Sequence, residues 1–218
     1  MPRSAADAIA KTVARYRSSR PKDRYYVRSK LHTDPLTPQL ATLEFGLGDL
    51  VDVGCGRGQF GLLLFELGRV RSLFGYDWDA EKVATAAVAA AGDGKFHVAD
   101  LREPPIASAD TILLFDVLQY LSVSDQRRLL ERLVTSLRPG GRILVRSADR
   151  SHGWQAHFSQ GLERVARALK LNLSSTLVFR PATDLKSDLT QLGLVVTEAA
   201  GGASSLLDNR LLIGQRTF

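Results

Sequence analysis

The stretch Leu50–Gly61, LVDVGCGRGQFG, places four glycines within eight residues directly after an apolar run. Backbone this bare is useful where a strand must turn sharply into a helix and keep its N–H groups open to a ligand that any Cβ would hold off. The flanking segments fit such a turn. DLVDV reads as a short apolar strand, and QFGLLLFELG as a helix stopping at Gly68. RSLFGYD is the next strand, and DAEKVATAAVAAAG is a helix with Asp79 as its N-cap and Gly92 as its stop. KFHVAD is a third strand, in which His97 is expected to be a core residue. TILLFDVL is a fourth, apolar enough to be buried on both faces. SDQRRLLERLVTSL predicts a helix with Ser124 as N-cap. RPGG breaks the chain, RILVRSAD is a fifth strand, and QGLERVARALKL is a helix. The end of the chain, through LTQLGLVVTEAA and NRLLIGQRT, reads as a helix end, a strand, a loop and a strand. That last loop is too short for a helical crossover, so the final two strands should pair antiparallel at one edge. Strands alternating with helices predict an α/β architecture: a mostly parallel sheet covered on both faces, with its ligand outside the carboxyl ends of the strands.

The 218 residues suit one domain of ordinary size, and 44% hydrophobic with 24% charged residues is a normal globular composition. A single cysteine, Cys55, rules out an internal disulfide and favours a reducing compartment. No uncharged apolar run approaches about 18 residues, and the N-terminus lacks the apolar core of a secretory signal, so the expected location is cytoplasmic. Charge is uneven. Residues 1–30 carry nine Lys or Arg against two Asp, a net of +7, while the remaining 188 residues net −1. Apolar positions Ala6, Ile9, Ala10, Val13 and Ala14 make the start of this head a helix with a basic opposite face, and HTDPLTP reads as the junction into the main domain. Residues 1–38 are therefore expected to form a basic helical segment or lid, and residues 39–218 the ligand-binding domain. The basic head suits nucleic acid, an anionic surface or an acidic partner, or is simply solvated.

The glycines can be spelled two ways. Gly56, Gly58 and Gly61 give the G-x-G-x-x-G of a dinucleotide site; Asp52, Gly54, Gly56 and Gly58 give D-x-G-x-G-x-G, a pattern that suits S-adenosylmethionine (SAM). Asp52 favours the second. It ends the first strand facing the ligand, where an α-ammonium group would be attracted and a pyrophosphate repelled. As a helix N-cap it would lie several residues too early. Asp77, ending the second strand, suits the two ribose hydroxyls of either cofactor. Trp78 beside it is a candidate to cover an adenine, or an ordinary packing residue. Asp100, ending the third strand, can accept an adenine amino group or serve as a turn residue. Asp116 and Tyr120 follow the fourth strand, over the cofactor.

The ordered set VDVGCGRG, GYDWD, VADL, LLFDVLQYL and LRPGGRILV resembles class I SAM-dependent methyltransferases over roughly residues 48–147. The resemblance implies a Rossmann-like fold with a seven-stranded sheet and an antiparallel last strand. It also implies that Asp52, Gly54, Cys55, Gly56 and Gly58 surround the methionine part, Asp77 the ribose, and Asp100 and Leu101 the adenine. The upstream YYVRSKLHTDPL is similar to the lead-in of a bacterial subgroup found beside aryl-polyene, lipid or polyketide pathway genes. That likeness implies that Arg28 and Lys30 fold back over the cofactor, with a cation on the methionine carboxylate; otherwise both belong to the solvated head.

Methyl transfer from a sulfonium is an in-line displacement, which requires alignment and exclusion of water. An oxygen acceptor also needs a base. SADRSHGWQAHF offers His152 and His157, which join Tyr120 as catalytic candidates. One cysteine cannot supply an iron–sulfur site, no cluster has metal-ligand spacing, and FDVLQY stands where base-amino methyltransferases carry N-P-P-Y or D-P-P-Y. The leading expectation is an O-methyltransferase of an aromatic, polyketide or lipid-like small molecule, free or held on an acidic carrier protein. An RNA methyltransferase gripping phosphates with its basic head and a silent SAM-fold binding subunit are the alternatives.

Overall fold

The computed structural model describes residues 4–106, 108–147, 177–199 and 210–217. Three helices come first: α1 (Ala5–Ala14), α2 (Pro21–Thr33) and α3 (Leu36–Ala41). The Ser4 hydroxyl caps α1 by accepting the Asp7 N–H at 3.1 Å. Pro21 opens α2 at a position where its missing N–H is no loss. The main body follows as β1 (Gly48–Val53), α4 (Gln59–Glu66), β2 (Val70–Asp77), α5 (Ala80–Ala90), β3 (Lys95–Val98) and β4 (Ala109–Phe115). After a short turn of 3-10 helix come α6 (Val123–Thr135), β5 (Leu137–Ser147), α7 (Ala182–Gln191), β6 (Leu194–Glu198) and β7 (Arg210–Arg216).

The seven strands form one sheet in the order β3-β2-β1-β4-β5-β7-β6, and β7 alone runs antiparallel to its neighbours. This is the expected Rossmann-like architecture. From β1 the chain steps outward through β2 and β3, then returns to lay β4 on the other side of β1. The carboxyl ends of β1 and β4 thus flank the point where strand order reverses, the crevice in which open α/β sheets bind ligands. Alternation along the strands sorts the core. Leu50, Leu113, Phe115 and Leu144 pack beneath α1–α5, while Val51, Val53, Ile112, Leu114 and Val145 pack against Leu129 and Leu133 of α6 and Leu185 and Leu189 of α7. The head is part of this packing: Ala8, Tyr16, Val27, Leu31, Leu36 and Leu40 are buried in the same cluster as Leu62 and Leu63 of α4.

Asp79 caps α5, accepting the Glu81 and Lys82 N–H groups at 3.0 and 3.2 Å. Three local expectations change. Helix α6 begins at Val123, so Ser122 rather than Ser124 is its N-cap, accepting the Asp125 N–H at 3.2 Å. RPGG does not end one element before the next. It is carried inside β5 as a bulge, over which the pairing moves from Ala109–Leu137 to Thr111–Arg142. Gly140 takes φ +73° in this bulge, and a Cβ on Gly141 would come within 2.8 Å of the Arg138 carbonyl oxygen. His97 is exposed, because β3 is an edge strand and sends only Phe96 into the core.

Phe96 explains Gly58. This glycine is the N-cap of α4 at φ +77°, and a Cβ there would lie 2.9 Å from the Phe96 ring and 3.1 Å from Ala86. Gly58→Ala is expected to lower stability by about 2 kcal/mol through left-handed strain and overpacking. Urea unfolding measures this, and an unchanged midpoint would contradict the packing.

Candidate active site

A cleft of about 770 Å³, including its open mouth, lies at the carboxyl ends of β1 and β4. Its floor is the turn out of β1, where Gly54, Gly56 and Gly58 all take positive φ. The N–H groups of Gly54 and Cys55 donate to the Tyr76 carbonyl at 2.7 and 3.0 Å, and that of Gly56 donates to the Asp77 carboxylate at 2.8 Å. The turn is thereby stitched to the end of β2. A Cβ on Gly54 would overlap Val117 at 2.1 Å, whereas nothing lies within 4 Å of one on Gly56. Gly54 lets the chain pass β4, and Gly56 leaves open backbone beside the cleft.

Two buried carboxylates line this floor. Burial, with the nearby charge of Asp77, pushes the Asp52 carboxyl up to about 7, although it accepts the Gly61 N–H. Gly61 sits in the first turn of α4, so Asp52 satisfies a helix N–H from the neighbouring strand: the capping task that sequence spacing set aside. Burial also raises the pKa of Asp77, opposed by Lys82 and by hydrogen bonds from the Asp79 and Gly56 N–H groups. A carboxylate has about four acceptor sites, so Asp77 keeps acceptor capacity after its bonds to Gly56 and Asp79 at 2.8 and 2.9 Å. Two acids short of donors describe a site for a polar, donor-rich ligand.

The far wall is tied to the head by a buried guanidinium. Arg146, near the end of β5, grips the Asp116 carboxylate with Nε at 2.8 Å and with its terminal nitrogen, and holds Asp34 at 2.6 Å. Asp34 in turn accepts the Leu36 N–H at 2.8 Å and pairs with Lys30 at 2.7 Å; Lys30 lies 3.7 Å from Asp116. Asp116 takes φ +59°, uncommon for a residue with a side chain, and Arg146 fixes it there. Burial opposes ionisation of Asp34, yet Arg146 and Lys30 hold its pKa down to about 2. Burial likewise opposes the charge on Lys30, but Asp116 and Asp34 keep it cationic. A second clamp holds the glycine turn. Arg57 donates to buried Asp23 of α2 at 2.7 Å and lies over the Tyr26 ring at 4.4 Å, and its carbonyl accepts the Tyr16 hydroxyl at 2.6 Å.

Of the residues expected from sequence, Asp52, Gly54, Cys55, Gly56 and Asp77 line the floor of the cleft. Lys30, Trp78, Leu101, Asp116 and Tyr120 line its walls. Trp78 and Tyr120 meet edge to face at 5.5 Å, and burial raises the pKa of the Tyr120 hydroxyl. Three residues lie elsewhere. Arg28 is exposed on α2, Gly58 faces Phe96, and Asp100 is an exposed turn residue paired with Arg102. His152 and His157 lie outside the described residues. The cleft also contains Tyr26, Arg57, Gln59, Phe60 and Lys82. Lys82 was readable as the third residue after the Asp79 cap. Tyr26 and Arg57 carry no pattern of their own and meet through the docking of α2 on the turn, while Gln59 and Phe60 open α4 directly behind it.

Residues 50–141, the span from β1 into β5, match the family described as "Methyltransferase domain". That span is a SAM-dependent methyltransferase domain. Around it, the chain shares its fold with solved structures at low identity. An O-methyltransferase family protein from Burkholderia thailandensis is 19% identical, with a TM-score of 0.64 over 94% of this chain and 62% of that one. A chain of the complex between the Haloferax volcanii Trm112 methyltransferase activator and the putative methyltransferase is 19% identical, with a TM-score of 0.68 over 95% and 98%. Magnesium protoporphyrin IX methyltransferase from Synechocystis PCC 6803, with bound S-adenosylhomocysteine (SAH), is 17% identical, with a TM-score of 0.56 over 88% and 83%. No curated protein sequence matches the methyltransferase. SAM is the cofactor. The residues present fit it: open glycine backbone, two buried acids for its donors, and an aromatic wall beside them. Among the described residues, no helix is long and apolar enough to cross a membrane, and no group of three His, Cys, Asp or Glu could hold a metal ion.

The low pKa of Asp34 fixes the sign of a pH effect. Its stabilisation is complete above about pH 4, the unfolded value, and is lost as pH falls toward about 2. Asp34→Asn is therefore expected to flatten that part of the acid-unfolding curve; superimposable curves for the two proteins would contradict the Arg146–Asp34 pair.

Proposed function

We propose that this chain methylates an oxygen of a small aromatic, polyketide or lipid-like acceptor, free or held on an acidic carrier protein, in a cytoplasmic biosynthetic step. The bacterial subgroup found beside aryl-polyene and polyketide genes is the corresponding finer assignment. The observation that carries the reading is the composition of the cleft, in which an acid-and-glycine floor meets a wall of Tyr26, Phe60, Phe115, Trp78 and Tyr120. Such a wall favours a flat apolar acceptor. The fold likeness to the Burkholderia O-methyltransferase family protein supports oxygen as the accepting atom.

Roles follow from placement. Asp77 takes the ribose hydroxyls. Asp52 and the backbone from Gly54 to Gly58 take the methionine part, with Lys30 rather than exposed Arg28 on its carboxylate. Trp78 and Leu101, which line the cleft, take the adenine. Bound SAM supplies a methyl group already activated on a positive sulfur. The protein then has to hold the acceptor in line and keep water out, which the aromatic wall favours. Asp116 and Tyr120 face the acceptor side, Tyr120 as a hydrogen-bond donor because burial keeps its hydroxyl protonated. Residues 1–38 act as the lid over the cleft. His152 or His157 is the base for its proton. One observation favours the RNA reading: Tyr25 is 75% exposed on α2, beside exposed Lys22, Arg24 and Arg28. Salt-sensitive retention of the protein on immobilised RNA would support it.

Asp77→Ala is expected to weaken SAH binding by about tenfold or more, since it removes the acceptor of two enclosed hydroxyls. Calorimetric titration checks this, and unchanged affinity would contradict the ribose assignment. Loss of the acting histidine slows turnover at unchanged SAM affinity; normal turnover in both His152→Ala and His157→Ala would remove them as bases.

A further inference from the structure

Gln59 is the first residue of α4 and lines the cleft with only 6% of its surface exposed. Its Oε1 is enclosed and has no hydrogen-bond partner. A buried amide oxygen left without a donor is uncommon, and one facing a ligand cleft points to a donor carried by the ligand. Its surroundings narrow the choice. The same turn of α4 receives the Asp52 carboxylate at the Gly61 N–H, so Gln59 and Asp52 bring two acceptors to one end of the cleft. Asp77, bound to the Gly56 N–H, and Trp78 belong to the end of β2, on the opposite side of β1 from β4. A group that satisfies several acceptors at once, one of them a carboxyl, is an ammonium with its three donors.

We infer that Gln59 is a cofactor-binding residue whose amide oxygen accepts a hydrogen bond from the α-ammonium group of SAM. This rests on the reading that the floor from Asp52 to Gly58 holds the methionine part. Asp52 and Gln59 divide the work: the acid supplies attraction, and the amide supplies an acceptor that adds no third acid beside Asp52 and Asp77. Burial raises the pKa of Asp52 to about 7, and an ammonium beside it favours the charged carboxylate, while the amide accepts in either protonation state of the acid.

The test is calorimetric titration of the wild type and Gln59→Met with SAH and with the SAH analogue that lacks the α-amino group. The wild type binds SAH if the floor holds the methionine part; failure of that control would refute the underlying reading itself. Given binding, Gln59→Met is expected to weaken SAH about tenfold and to leave the deaminated analogue unchanged. Equal loss for both ligands would overturn the inference in favour of a packing role. Unchanged SAH affinity would overturn it too, and a fall in turnover alone would move the amide to the acceptor side. Gln59→Leu, read the same way, and thermal unfolding of both variants without ligand separate a lost hydrogen bond from a damaged fold.

Discussion

One guanidinium joins the three parts of this molecule. Arg146 comes from β5, Asp116 from the turn after β4, and Asp34 from the end of the head helix α2. A cation this deep is tolerated only because two carboxylates meet it with hydrogen bonds, and removal of either partner would leave charge stranded. The head is therefore no loose appendage. Its helices bury Tyr16, Val27 and Leu31 against α4, and its ionic end is fastened beneath the cleft. The same bonds set Asp116 in its left-handed conformation and bring Lys30 to the cleft wall.

The cleft floor is built on the opposite principle. Asp52 and Asp77 are buried with backbone donors, and both have raised pKa values. The acceptor capacity they keep suits a donor-rich ligand. A cationic group placed beside Asp52 would favour its charged carboxylate, so binding there and protonation would be coupled. The basic head acquires a different meaning in this light. Arg15 pairs with Glu66 and Asp93, Arg20 with Asp23 and Glu81, and Lys30 with Asp34. Of these cations Arg15, Arg20 and Lys30 meet acids of the body at Glu66, Asp93, Glu81 and Asp116, while Lys22, Arg24 and Arg28 stay exposed on α2.

The sequence disclosed the repeating strand–helix order, because apolar runs bounded by glycine and aspartate are local signals. It disclosed Asp52 and Asp77 for the same reason: each ends a strand. Gly58 was legible as part of a pattern, yet its role is packing against Phe96, a contact between residues 38 apart that no local pattern encodes. Asp100 matched a strand end as well, but an arginine two residues later captures it. Arg146 gave no signal at all. It sits in an apolar strand where an outward-facing cation would look the same, and only the return of α2 across the sheet shows its partners. Tyr26 and Arg57 are illegible for a like reason, since α2 brings them together over the glycine turn.

The central claim is that this head and the glycine turn make a single cofactor site. Hydrogen exchange of the full chain, with and without SAH, tests it most directly. The account predicts that the ligand slows exchange both in the turn around Gly54–Gly61 and in α2 up to Asp34. Protection confined to the turn and the end of β2, with α2 exchanging as before, would contradict it.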